Sequence, residues 1–163
     1  MADKKGLSEI VTTVIMIALV MAAAAIIWGV VNSMLTDTTQ DTQACFGNYD
    51  KVTLYGEGTC YDPINKRASV YIDIRDINVT KVIVSIHTES ETKSFEIPGT
   101  NADVSIYSST PSFGSALSSI FPNSGKRYLI NLESKPTSID ISPVISGSQC
   151  GISDTIKTID ICS

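Results

Sequence analysis

Ile10-Val-Thr-Thr-Val-Ile-Met-Ile-Ala-Leu-Val20-Met-Ala-Ala-Ala-Ala-Ile-Ile-Trp-Gly-Val-Val31 is a 22-residue run in which only Thr12, Thr13 and Gly29 are not hydrophobic. No charge falls between Glu9 and Asp37. At 1.5 Å rise per residue the run makes a helix of about 33 Å, close to the hydrocarbon thickness of a bilayer. It is apolar all round, with no polar stripe at helical spacing. Such a helix is buried on every side, in lipid or in an assembly. A cleaved secretory signal fits less well, because its apolar core is about 7–15 residues and is followed by a small-residue cleavage site. Here the small residues Ala22–Ala25 lie in the middle.

Outward from this run the chain is different material. Its 163 residues are 43% hydrophobic overall, but the apolar rod takes a disproportionate share and leaves a polar remainder. That division argues against a plain soluble enzyme and against several membrane spans. The length suits one modest domain with an appendage.

The residues before the run read Met1-Ala-Asp-Lys4-Lys5-Gly6-Leu7-Ser8-Glu9. A short basic leader, a glycine, one acid and a long apolar helix together resemble the class III signal peptide of archaeal type IV pilins and archaellins. The resemblance covers about 30 N-terminal residues. It implies a leader of residues 1–6, with Lys4 and Lys5 as its basic part. It also implies cleavage by a prepilin peptidase after Gly6, with Leu7 as the first mature residue. Residues 7–44 would then be a helix and linker, held first in the membrane and later in a filament core. The bacterial pilin pattern places Glu at the fifth mature position and Phe at the first. Here Glu9 would be third, so the bacterial docking salt bridge does not carry over. Glu9 in a first helical turn is favoured by the helix dipole by about 0.3–1 kcal/mol. It serves either as an assembly contact to an amino terminus or as an interfacial charge. Ala22, Ala23, Ala24 and Ala25 allow close backbone approach between helices, although alanine is also simply a good helix former. Trp28 suits a membrane interface.

After Val31 the sequence to Gln43 has no Pro or Gly, so the helix can continue, with fraying expected in its Thr- and Asp-rich end. From Cys45 to residue 163 the pattern is β. Ala68, Val70, Ile72 and Ile74 alternate on one face, and Val82, Val84 and Ile86 repeat the pattern. Further strands are expected at Lys51–Tyr55, Lys93–Ile97, Val104–Tyr107, Arg127–Leu132, Ser138–Val144 and Thr155–Cys162. Turn clusters such as Asp62-Pro-Ile-Asn65 separate them. Ser112–Ile120 reads as a loop or one helical turn, and Ser105–Ser119 as an exposed Ser/Thr-rich loop. About eight short strands at this spacing indicate a β-sandwich. The expected fold class is α+β: a long N-terminal hydrophobic helix followed by an all-β, immunoglobulin-like sandwich. This is also the lollipop architecture that the pilin resemblance implies.

Cys45, Cys60, Cys150 and Cys162 form an even set without C-x-x-C spacing, and His87 is the single histidine. Two disulfides are the natural reading in an oxidising compartment, and metal ligation is not. Three connectivities are open. Local pairing needs each segment to double back, which Gly56 and Gly58 permit. If the first and last strands lie antiparallel, Cys45 meets Cys162 and Cys60 meets Cys150, and this pairing is the expectation.

No nucleophile–base pair, phosphate loop or EF-hand spacing occurs, so no cofactor or enzymatic activity is expected. His87 falls on the outward face of its strand as a surface residue. The net charge is −5 and would be −6 without residues 1–6, which disfavours nucleic acid as a partner. Asn78-Val-Thr80 is an N-glycosylation sequon between two strands. The expected function is a structural subunit of a pilus-like extracellular filament. Its partners would be copies of itself, the peptidase, the assembly machinery and, before assembly, the membrane; its head would serve adhesion. An archaellin and a non-assembling, membrane-anchored binding protein are the alternatives.

Overall fold

The computed structural model describes residues 4–48 and 50–162. The chain divides into two compact units, with the boundary between Gln40 and Asp41.

The first unit is carried by helix α1, Lys4–Cys45. It begins three residues before Leu7 and runs through the Gly6–Leu7 bond. The helix also persists through the Thr- and Asp-rich stretch where fraying was expected, because no proline or glycine interrupts it between Asn32 and Cys45. Two hydroxyls inside it are satisfied within the helix. Thr13 Oγ1 donates to the Ile10 carbonyl (2.8 Å) and Ser33 Oγ to that of Val30 (3.3 Å). Such back-bonding lets a hydroxyl sit in an apolar medium without an outside partner.

The second unit is a two-sheet sandwich. Its strands are β1 (Val52–Leu54), β2 (Cys60–Asp62), β3 (Arg67–Ile74), β4 (Lys81–His87), β5 (Thr92–Ile97) and β6 (Gly99–Thr100). They continue with β7 (Val104–Ile106), β8 (Ala116–Leu117), β9 (Ser124–Asn131), β10 (Ser138–Ile145), β11 (Ser148–Gln149), β12 (Asp154–Ile156) and β13 (Asp160–Ile161). One sheet has the order β13-β2-β3-β9-β7, with β1 also on β3; the other is β11-β10-β4-β5, with β12 on β10. The core of the first, β2-β3-β9-β7, has the A-B-E-D order of an immunoglobulin sandwich. The second, β12-β10-β4-β5, matches G-F-C with an added C′ strand.

Period-2 patterning explains why the sheets face each other. Ala68, Val70, Ile72 and Ile74 of β3 meet Val82, Val84 and Ile86 of β4 and Ile139 and Ile141 of β10 in one core, all at most 1% exposed. Ile→Ala at such sites costs about 2–5 kcal/mol. Seven of the eight expected strands coincide with single strands here. The tetrad Asp62–Asn65 is a turn in which Asp62 Oδ1 accepts from the Ile64 and Asn65 amides (2.9 and 3.1 Å). Those contacts and the Asn65 side-chain amide hold the Asp62 carboxyl below its ordinary range, the side-chain bond contributing most.

Three details differ from expectation. Thr155–Cys162 is two strands, β12 in one sheet and β13 in the other, with buried Ile159 anchoring the crossover. Ser112–Ile120 contains the short strand β8, paired with β6. The Ser105–Ser119 stretch is not wholly exposed, since Ser105 and Leu117 are buried.

Candidate functional site

The strongest feature for function is the surface of α1. Every residue from Ile10 to Leu35 is exposed in the isolated chain. The large side chains are bare on all sides: Val20 is 67% exposed, Met21 69%, Ile26 69% and Trp28 73%. The apolar span is Ile10–Leu35, 26 residues, or about 39 Å as a helix. It is therefore longer than the Ile10–Val31 run, because Asn32 and Ser33 add no charge. By length and composition it can cross a membrane. A monomer in water does not keep so large a continuous apolar surface exposed. Ala22, Ala23, Ala24 and Ala25 lie within this surface and are exposed with it.

Lys4, Lys5, Gly6, Leu7 and Glu9 lie on the first turns of α1. The side chains of Lys4, Lys5, Leu7 and Glu9 lie outside the described residues, as do residues 1–3 of the leader.

All four cysteines form disulfides, but the expected pairing is corrected. Cys45 bonds Cys150 and Cys60 bonds Cys162, with Cα–Cα distances of 5.4 and 5.0 Å. The reason is direction. The segments 45–60 and 150–162 run parallel, so first meets first and second meets second. Between the bridges, Ser153 Oγ donates to the Val52 carbonyl (2.7 Å), and the Leu54 amide donates to Asp154 Oδ2 (2.8 Å). Then β13 pairs with β2 in parallel, Asp160 opposite Cys60. The first bridge packs with Ile145, Ile77 and Val79 in a small apolar cluster of its own.

No family model, no curated protein and no solved structure matches the chain.

Asn78 is exposed in the connection from β3 to β4, while its neighbours Ile77 and Val79 are partly buried. The sequon is thus held on the surface by anchors at both sides. His87 is more engaged than its sequence position suggested. Its Nδ1 lies 2.9 Å from Thr92 Oγ1 and its Nε2 3.0 Å from Asp140 Oδ2. The three residues belong to adjacent strands β5, β4 and β10. Alternation could place each on the outward face, but only the cross-strand register brings them into line. This hydroxyl–imidazole–carboxylate chain lies on the outward face of the sheet, with the His87 side chain partly exposed.

Proposed function

We propose that the chain is the structural subunit of an extracellular, type IV pilus-like filament. The observation that carries this reading is the 26-residue apolar span Ile10–Leu35, exposed around its whole circumference. Its basic leader supports the reading. A prepilin peptidase cuts after Gly6; the helix waits in the membrane and then packs against copies of itself. Within such a bundle, apolar association is driven by close packing rather than by water, and Ala22–Ala25 provide the low relief that close packing uses. The sandwich, held by its disulfides, faces the oxidising exterior and serves adhesion. Asn78 carries a glycan there.

A non-assembling membrane anchor is the second reading, favoured by the span's length alone. Processing separates the two. When the chain is co-expressed with a matching peptidase, the N-terminus of the mature protein is read by sequencing and its intact mass recorded. The filament reading expects Leu7 first, loss of residues 1–6 in the mass, and a sugar increment that Asn78→Gln removes. Gly6→Phe leaves the leader in place and abolishes filaments. An intact leader on the wild-type protein contradicts the reading.

A further inference from the structure

On the outer face of the β3–β9 pair lies a cleft of about 400 Å³, within the size range of small-ligand sites. Its floor is Ser69 and Leu129, directly opposed across the two strands. Arg67 and Arg127 rise on either side of this small floor, and the Cys60–Cys162 bridge closes one edge.

Neither guanidinium forms a close ion pair among the described residues, whereas Arg75, outside the cleft, pairs with Asp50; Arg67 stands opposite Asp62 across β2 and β3, and its charge adds to the effects that lower that carboxyl. Both are instead positioned by rings. Arg67 lies 5.0 Å over Phe113, and Arg127 lies 5.0 Å from the Tyr107 ring and 5.8 Å from that of Tyr71. Tyr71 is itself fixed by two glycines. A Cβ on Gly58 would approach Tyr71 Cβ to 2.7 Å, and one on Gly125 would collide with the Tyr71 ring. Stacked guanidinia keep their N–H edges available for a planar acceptor, so the arrangement is preorganised for carboxylate. The Nε of Arg67 is buried with no hydrogen-bond partner, which leaves that fork incompletely satisfied by the protein.

The carboxylates in the cleft, Glu57 and Asp62, are already engaged. Glu57 Oε2 accepts from the Tyr55 hydroxyl (2.9 Å), and Asp62 accepts from the turn that follows it. They retain acceptor capacity for hydroxyl groups, and Asn65 adds an amide. Two guanidinia without a close ion pair, hydroxyl acceptors and the half-exposed ring of Tyr107 call for a ligand with a carboxylate, several hydroxyls and an apolar ring face. We propose that this cleft binds an acidic saccharide of the uronate class. Many backbone-borne carboxylates, as in an acidic peptide, would meet Glu57 and Asp62 and lack the matching hydroxyls.

The inference deepens the adhesive role of the head but is tested without filaments. Full-length chain in neutral detergent micelles is titrated calorimetrically with galacturonate di- and trisaccharides, the matching neutral galactosides, acetate and a Glu-rich peptide. Saturable binding of the uronates alone is expected. Arg67→Gln and Arg127→Gln should each weaken it about tenfold or more, and Arg75→Gln should leave it unchanged. Tyr107→Ala, at an exposed ring, should weaken it while the thermal unfolding curve stays unchanged. Equal binding of neutral galactosides, equal binding of acetate, tighter binding of the peptide, or uronate binding indifferent to both arginine changes would overturn the assignment. So would no uronate binding by the folded wild-type chain. None of these outcomes bears on whether the helix assembles.

Discussion

At the scale of single residues, Tyr128 shows how burial sets chemistry. Its side chain is fully buried between the sheets, and its hydroxyl reaches only the Ser118 carbonyl at 3.5 Å. Desolvation pushes its phenol far above the ordinary value near 10. A group whose folded pKa is raised adds stability below its unfolded pKa, and that stability is lost as pH climbs above it. The protein should therefore lose stability above about pH 10, and Tyr128→Phe should flatten that alkaline decline. Denaturant midpoints at pH 8 and pH 11 for both proteins check this; equal declines would contradict it. The Arg67–Phe113 and Arg127–Tyr107 contacts illustrate what sequence does not reveal. Each residue type was visible, yet the stacking depends on register between β3 and β9 and on the path of the loop after β7. No local pattern encodes either.

Among the elements, α1 was the most legible. A sustained apolar run without charge specifies a helix by composition alone, and the absence of Pro and Gly carries it to Cys45. The strands were legible for the same kind of reason, since Val70, Ile72 and Ile74 alternate with polar residues at period 2. The short strands β2, β6, β8 and β11 have two or three residues each, too few for any periodicity. The filament reading makes a specific demand on α1. Ala23→Leu or Ala24→Leu keeps the helix apolar, so membrane insertion should be unchanged. Bulk at these positions should nevertheless block close helix packing and reduce filament yield severely. Membrane fractionation and filament yield from sheared cells measure the two effects. Unaltered filament yield from both variants would argue that the alanines are merely good helix formers.

For the molecule as a whole, the disulfides define how the second unit is closed. They link positions 105 and 102 residues apart, so each removes a long loop's freedom from the unfolded chain, by about 4–5 kcal/mol on the chain-entropy model. Changing Cys60 and Cys162 together to Ser should lower unfolding free energy by an amount approaching this, measured by denaturant titration under non-reducing conditions. A change under about 1 kcal/mol would show that the parallel contacts of β2 and β13 suffice without the bond. That the cysteines pair was readable from their even number and spacing. Which ones pair was not, because parallel and antiparallel arrangements of segments 45–60 and 150–162 satisfy the same spacings of 15 and 12. Long-range strand direction chose between them. The division into an exposed apolar helix and a disulfide-closed sandwich underlies the assembly reading. Electron microscopy of material sheared from cells expressing the chain with its peptidase tests it most directly. The account predicts thin filaments with helices packed along their axis and sandwiches outside; protein found solely as dispersed single copies in the membrane fraction, fully processed yet never filamentous, would contradict it.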